Sequence, residues 1–362
     1  MSAETRVPER SSRPPVVVLL KREIGEIAGF IAAESGRDPK VVEAHLRWFL
    51  LENPARRDTD PLGFGLRVSD QLAGCILCVP QAFRFGNERI LLMGSSSFYV
   101  ENRHRGHGGR LFLKFSRLAN ELPLFGTSAN AEAAALWKAA GASSIAHSDG
   151  ELFGVLHWPA VAEEFIHRRY ANRMLSRLAG SSISKLAGLL RPLKIDNRES
   201  DSLRPLASAE EVNDLPIHDP AAKLTAMRDL PYVRWRYFSN RDPTVGAFAF
   251  RSRRPDRDVL VTVNERIRGY REQIKTLNVL DVYPEVSTEE GLRIIAALIG
   301  RYKKTVDAIV LRGQNREQQK ALRNRGFHWR AFEAPTGWFL DKSGLSPTRD
   351  WYAVPADGDG LI

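Results

Sequence analysis

The sequence predicts a mixed α/β chain made of two similar halves, each a mostly antiparallel sheet flanked by helices. Three observations predict it. Short β-type runs at 64–68, 72–79, 83–85 and 90–100 follow one another, with turn signals Ser69-Asp70 and Gly86-Asn87 between them. A Gly-rich turn then leads into helix, strand and helix patterns. Finally, Trp48 and Trp235 stand 187 residues apart, Asn130 and Asn315 stand 185 apart, and so do Gly141 and Gly326. Anchors whose offsets agree to within two residues are the signature of duplication, because chance matches scatter.

The elements follow in order. Residues 1–13, rich in Ser, Pro, Arg and Glu, lack the apolar side chains that fund folding and read as a disordered tail. The apolar run at 15–20 is a first strand. Ile24, Ile27, Phe30 and Ile31, then Val42, Leu46, Phe49 and Leu50, recur at helical spacing and predict helices over 24–35 and 41–51, the second stopped before Pro54. After the meander come a helix at 111–118, a strand at 122–127, a helix at 132–140, and a strand pair around Ile145 and 152–157. These fill a first domain, 14–172. A basic amphipathic linker, 173–205, interleaves Leu175, Leu178 and Leu186 with Arg173, Arg177 and Lys185. A second domain spans 206–345 and a C-terminal tail 346–362. Arg234-Trp235-Arg236-Tyr237 in the second half repeats Arg47-Trp48-Phe49 of the first.

Composition narrows the function classes. With 362 residues, 43% hydrophobic and 27% charged, two cores can be buried, and no run approaches the ~18 apolar residues of a membrane span. The six-residue run at 15–20 is too short for a signal-peptide core, so the chain reads as cytoplasmic. Cys75 and Cys78 form a C-x-x-C string within a strand pattern, where positions three apart face opposite ways; they read as core residues, and no metal is expected there. His147, Asp149, Glu151 and His157 likewise do not make a convincing metal set. A formal charge of +10 favours anionic partners: a phosphate-bearing cofactor, an acidic carrier protein, an anionic polysaccharide, a lipid surface or RNA.

The most informative stretch is 95–115. A strand ends at Phe98-Tyr99-Val100, a turn carries Gly106, Gly108 and Gly109, and an amphipathic helix follows through Leu111, Phe112 and Phe115. Glycines let a backbone bend through φ > 0 and let its N–H groups approach an anion, while the helix start adds unpaired donors. Arg103, Arg105 and Arg110 add charge, so the segment is suited to a phosphate or diphosphate. Neither a Rossmann nor a Walker context surrounds it.

On these residues the stretch 24–158 resembles the GCN5-related N-acetyltransferase (GNAT) superfamily, whose strand ends in Val-x-Pro-x-x-Arg-Gly-x-Gly-x-Gly/Ala and whose later motif is Asn-x-x-Ala-x-x-Leu-Tyr-x-x-x-Gly-Phe. Val100, Arg105, Gly106 and Gly108 match the first; Asn130, Leu136 and Gly141 match the second. Asn102, Arg110, Trp137 and Ala142 depart from it. The resemblance implies two tandem GNAT-like domains, the second degenerate. It further implies acetyl-CoA or another acyl-CoA between two splayed strands, its diphosphate on the amides of Arg105, Gly106, His107, Gly108, Gly109 and Arg110. Phe98 and Val100 would hold the pantetheine, with Asn130 and Trp137 beside it. Direct attack by an amine then needs a base and an acid. Trp137 stands where relatives carry a Tyr acid, so either the thiolate leaves unaided, or Tyr99, His104 or His107 substitutes, or the domain binds CoA without turnover; Glu101 is the nearest carboxylate.

In the second half, 282–290 replaces the Gly-rich turn. Ser287 and Glu290 form a capping-box pattern that would occupy the helix donors, so this half is expected not to bind acyl-CoA and to shape the acceptor site instead. The expected acceptor is an amine of a small molecule or of a cell-envelope sugar. An acidic acyl carrier protein could supply the acyl group, and the basic linker could touch a membrane surface. Nucleic acid is disfavoured, because the linker lacks aromatic platforms. Two other readings stand beside the transferase: a non-catalytic CoA-sensing or anion-binding module, and a relative of the peptidoglycan-bridge aminoacyltransferases.

Overall fold

The computed structural model describes residues 13–170, 193–195, 202–213, 224–239, 242–253, 257–269, 273–342, 351–352 and 354–357. All but the last residue of the N-terminal tail (1–13) and most of the basic linker lie outside the described residues. Within the first half the chain runs β1 (Val16–Leu19), α1 (Ile24–Ser35), α2 (Pro39–Leu46), β2 (Gly63–Val68), β3 (Gln71–Phe85), β4 (Glu88–Val100), α3 (Gly108–Ser116), β5 (Leu124–Gly126), α4 (Ala131–Ala139), β6 (Ser143–Ser144), β7 (Gly150–Val155) and α5 (Trp158–Tyr170). The second half repeats the order as β8 (Leu203–Pro205), α6 (Ala209–Asn213), β9 (Leu224–Ala226), α7 (Leu230–Val233), β10 (Val245–Arg251), β11 (Asp258–Arg268), β12 (Ile274–Tyr283), α8 (Thr288–Tyr302), β13 (Ala308–Arg312), α9 (Arg316–Arg323), β14 (His328–Ala331), β15 (Trp338–Leu340) and β16 (Trp351–Tyr352).

Two predicted elements differ in extent. The runs at 72–79 and 83–85 are one strand, β3, which passes through Pro80 opposite Met93 without a break. The second helix ends at Leu46 and continues to Leu51 as a π turn. The matching segment Arg234–Phe238 is also a π turn, so the repeat is structural as well as sequential.

One sheet has the order β1-β2-β3-β4-β5-β15-β6, with β9 and β16 extending from the far end of β3; the other has β14-β7-β13-β12-β11-β10-β8. The first sheet therefore takes β9, β15 and β16 from the second half, and the second sheet takes β7 from the first. β15 pairs with Leu124–Gly126 of β5, and β7 pairs with the whole of β13, Val155 opposite Ala308. The strand predicted at 152–157 exists, but its partners are in the second half rather than beside Ile145.

Side-chain alternation puts the two faces of each sheet against different layers. α3 and α4 cover the first sheet through Phe112, Phe115 and Trp137, and α8 and α9 cover the second through Ile294, Leu298 and Leu322. Between the sheets lies a shared core from α1, α2, α6 and α7. Cys75 belongs to this middle core and Cys78 to the α3/α4 side, so the two thiols do face opposite ways; burial pushes both up to about 12. In the middle core Trp48 Nε1–H donates to the Trp235 carbonyl at 2.8 Å, and Trp235 Nε1–H donates to the Trp48 carbonyl at 2.9 Å. The two tryptophans, 187 residues apart, are thus related as by a local twofold axis.

Residues 351–352 and 354–357, the described part of the C-terminal tail, are packed into the fold. Trp351 packs edge-on against Phe83, Phe125 and Phe339, with ring centroids 5.4, 5.9 and 5.2 Å away. Arg228, fully buried, holds Asp281 and Asp357, each at 2.6 Å, and so fastens the turn at 354–357 against β12.

Candidate active-site cleft

β5 pairs with β4 only at Met93 and Gly94. From Ser95 onward the two strands part, and the gap opens into a cleft of about 710 Å³ floored by β4 and walled by α3 and α4. Small residues allow the close packing at its apex. A Cβ on Gly126 would lie 3.0 Å from Ser95 Oγ and 3.1 Å from Trp137 Cζ2, so a larger residue there would push Trp137 aside. On its other edge β4 is bulged. Cys75 faces Tyr99 and Leu77 faces Ser96, so two residues of β4, Ser97 and Phe98, oppose one of β3. Ser97 takes φ 49°, in the left-handed region. A bulge takes backbone groups out of the ladder and re-aims them. Here it does so at the point where the cleft meets the rest of the molecule.

Of the residues singled out from sequence, Phe98, Tyr99, Val100, Arg105, Gly108, Gly109, Asn130 and Trp137 line the cleft. Gly106, His107, Glu101 and Arg110 do not. Glu101 is turned to Arg103, 2.6 Å away, and Arg110 donates to the Pro14 carbonyl at 3.0 Å, behind α3. His104 and His107 lie side by side, 6.4 Å between ring centroids, outside the lining.

The Gly-rich turn also differs from expectation. None of Gly106, Gly108 and Gly109 has positive φ. Residues Asn102–His107 form a right-handed 3-10 turn that runs directly into α3, and the Gly108 N–H is taken by the Arg105 carbonyl. The donors expected at 105–110 are therefore fewer than the sequence implies. Gly109 and Arg110 precede the first intrahelical bond of α3, and no side chain caps that helix start. In front of Gly106 there is open space, since a Cβ would meet nothing within 4 Å. Arg105 stands at the cleft mouth, 64% exposed, 3.9 Å from Glu132.

Asn130 is the N-cap of α4, its Oδ1 accepting from Ala133 N–H at 2.8 Å. Trp137 is 2% exposed and meets Phe112 and Phe115 edge-on at 5.2 and 5.9 Å. The indole closes the inner end of the cleft as a packed wall. Sequence reasoning missed Glu34, on the last turn of α1, which brings a carboxylate to the cleft from the opposite side of β4.

Two further cavities meet this cleft at Ser97 and Tyr99, so the strand end is the hub of a three-armed space. One, about 530 Å³, is lined by Arg37, Val41, His45 and Trp48 of the first half and by Asp242, Pro243 and Arg266 of the second. The other, about 410 Å³, lies mainly against β11, β12 and β13. The groove in the second half that corresponds to this cleft, between β12 and α8, holds only about 40 Å³, with Val354 and Pro355 in its lining. Ser287 caps α8 there, accepting from Glu290 N–H at 3.2 Å, while the Glu290 carboxylate takes the Ser252 hydroxyl instead of reaching back to close the box.

His45 has a buried Nε2 without a hydrogen-bond partner, and desolvation, reinforced by the Arg236 charge, lowers its pKa from 6.5 to about 4. The unfolded chain takes up this proton below pH 6.5 and the folded chain does not, so the associated stability is whole above that pH and drains away toward pH 4. Between pH 7 and pH 5 the loss is about 2 kcal/mol. Urea midpoints at the two pH values check it. The wild-type drop should exceed that of His45→Gln, and equal drops would contradict the burial of a neutral imidazole.

Among the described residues no three metal-ligating side chains converge, and no helix is long and apolar enough to cross a membrane. Glu151, from the group weighed above, is held between Arg312 and Arg330, and His157 faces Asp307 at 3.6 Å.

No family model and no curated protein matches the chain. Solved structures do. A probable N-acyltransferase from Enterococcus faecalis V583 is similar at 12% identity and TM-score 0.55, over 91% of this chain and 72% of that one. A GCN5-related N-acetyltransferase from Anabaena variabilis is similar at 11% identity and TM-score 0.52, over 90% and 72%. The N-myristoyltransferase of Saccharomyces cerevisiae, solved with bound myristoyl-CoA, is similar at 10% identity and TM-score 0.56, over 98% and 85%. At such identities the likeness is one of architecture. The splayed strand pair, the turn into α3 and the second copy of the same plan make this a tandem GNAT-like fold.

Proposed function

We propose that the chain is an acyl-CoA-dependent N-acyltransferase that passes an acetyl or other acyl group to an amine of a small molecule or a cell-envelope sugar by direct attack. The observation that carries this reading is the parting of β4 from β5 after Gly94, which leaves the β4 edge open along a cleft that ends at an uncapped helix start. That cleft fits a pantetheine chain with a diphosphate at its end. Its inner part is apolar, lined by Phe98, Phe112 and Trp137, and its mouth carries Arg105 and the start of α3 at Gly108 and Gly109.

When bound, acyl-CoA supplies an activated carbonyl and a thiolate leaving group. The rest falls to the protein. The backbone of Ser95–Val100, whose β5-facing edge has no strand partner beyond Gly94, would orient the carbonyl and offer its amides to developing negative charge. Tyr99 reaches the hub of all three arms, so its hydroxyl can hold or pass a proton between the acyl side and the acceptor side. Glu34 offers the carboxylate that accepts the proton of the attacking amine. Trp137 excludes water from the inner end, and its indole, a donor only, serves as wall rather than acid.

Acetyl-CoA binding by calorimetry, followed by thiol release with a panel of amines, tests the reading. Tyr99→Phe is expected to slow turnover at least about 10-fold and to leave acetyl-CoA affinity unchanged. Binding without thiol release from any amine would favour a CoA sensor. Absence of binding would overturn the assignment.

A further inference from the structure

The arm of about 410 Å³ has an unusual lining. Arg37, Arg266, Arg268 and Arg312 face it, and among the described residues that line it there is no Asp or Glu. The volume is that of a small-metabolite site. Resting on the transferase reading, we propose that this arm binds the acceptor, and that the acceptor is an amine bearing an anionic group, a carboxylate or a phosphate, held by Arg268 and Arg312 while its amine reaches Tyr99.

The strand geometry places these groups deliberately. Asn264, Arg266 and Arg268 alternate along β11 and so share one face of the sheet. Asn278 of β12 braces Arg268, accepting from Nη2–H at 2.8 Å, and thereby fixes the direction of the fork. Glu151, buried beneath, orients Arg312 through Nε–H at 2.9 Å, and the Arg312 guanidinium lies 5.4 Å from the centroid of the Phe332 ring. Asp242, 3.5 Å from Arg266, belongs to the neighbouring arm. Burial first, and then the like charges of Arg312, Arg330 and Arg266, outweigh the opposing pull of the Glu151 carboxylate and disfavour the charged form of Arg268, which an arriving oxyanion would favour again. A planar guanidinium matches a carboxylate or phosphate edge with two parallel hydrogen bonds. The other arm differs in kind: it contains Asp242 and a neutral imidazole, and Val41 and Pro243 make it more apolar.

This divides the labour between the copies. The first half keeps the open strand pair and supplies the transfer machinery. In the second half the equivalent groove is closed, and its sheet turns a basic face to the hub. Tyr99 and Ser97 lie where the two functions meet.

The test compares amines that differ only in the anion: an amino acid against its amide, and an amino-sugar phosphate against the free amino sugar. Each is assayed by thiol release from acetyl-CoA with the full chain. At least one anionic member is expected to show kcat/KM about 10-fold or more above its neutral counterpart. The identity of the preferred pair tells carboxylate from phosphate. Arg268→Gln should erase that preference, mainly through KM, with the acetyl-CoA dissociation constant unchanged; Arg268→Lys, which keeps charge without the fork, should retain part of it. A parallel measurement follows the thermal midpoint in inorganic phosphate and in acetate, where wild type should rise above Arg268→Gln. Equal rates within both pairs, or a preference that survives Arg268→Gln, would overturn the proposal. Should no amine react, the midpoints decide: anion protection absent from wild type, or undiminished in Arg268→Gln, also overturns it. Loss of acetyl-CoA binding would strike the transferase reading alone, since the anion measurement needs no CoA.

Discussion

Gly108→Asp is expected to weaken acetyl-CoA binding about 100-fold or more while leaving the fold as stable as wild type or slightly more so. The two effects have opposite signs for one electrostatic reason. Gly108 has ordinary helical geometry, φ −57° and ψ −39°, as the first residue of α3, and a Cβ there would lie 3.6 Å from Val100 and 3.7 Å from Phe98, which is normal contact. A side chain is therefore tolerated sterically. A carboxylate in the first turn interacts favourably with the helix dipole and can accept from the uncapped amides, worth about 0.3–1 kcal/mol. The same carboxylate occupies the seat proposed for the diphosphate. Two like charges about 4 Å apart at an effective dielectric near 20 repel by roughly 4 kcal/mol, which outweighs the gain and exceeds a hundredfold in affinity. Gly108→Ala, with the bulk of one methyl and no charge, should bind nearly as wild type. Calorimetry with acetyl-CoA and urea midpoints for the three proteins separate the terms. Equal affinity in Gly108→Asp would place the diphosphate elsewhere, and a large fall in Gly108→Ala would make the effect steric.

The parts of this site legible in the sequence are those fixed by neighbours in the chain. A strand, a glycine-bearing turn and an amphipathic helix within 95–115 could be read because each signal is local. So could the Asn130 cap, which needs only the amide three residues on. The conformation of the turn was not readable. Glycine permits positive φ without requiring it, and the contacts of Arg105 and the entry into α3 select a right-handed 3-10 turn instead. The exchange of β7 and β15 was equally hidden. Gly150–Val155 shows the same alternation whichever strand it pairs with, and only the long-range packing of Gly154 against Phe327 and Ile309 selects β13. Glu34 was missed because it reaches the cleft from a helix some sixty residues earlier in sequence. Arg266 and Arg268 carry no local signal of a site, because alternating charged residues on a strand acquire a cavity only where the first half is laid against them.

The duplication itself makes the other large prediction. Trp48→Ala and Trp235→Ala should each cost about 4–5 kcal/mol, and the double variant should cost less than their sum. Each indole is buried, 3% and 5% exposed, so truncation removes a large ring from a packed core, worth about 3–5 kcal/mol, and strips a donor from a buried carbonyl, worth about 1–3 more before relaxation. Because each donates to the other's carbonyl and their rings lie 5.8 Å apart, removing one already breaks part of what the second would lose. Arg236 sharpens the coupling, since its guanidinium is buried within 5.9 Å of the Trp48 ring centroid and 5.5 Å of the Trp235 ring centroid. Trp48→Phe keeps one aromatic ring but removes the pyrrole part of the indole with its donor, and should cost less than the alanine change, with about 1–3 kcal/mol from the carbonyl left unpaired. A total stability of order 5–15 kcal/mol leaves room for one truncation but little beyond it. Urea denaturation of the four corners of the cycle measures the coupling, expected at about 1–3 kcal/mol. Strict additivity would mean that the reciprocal bonds contribute nothing jointly. In that case what holds the halves together is the strand exchange through β7 and β15, which no substitution at the tryptophans would touch.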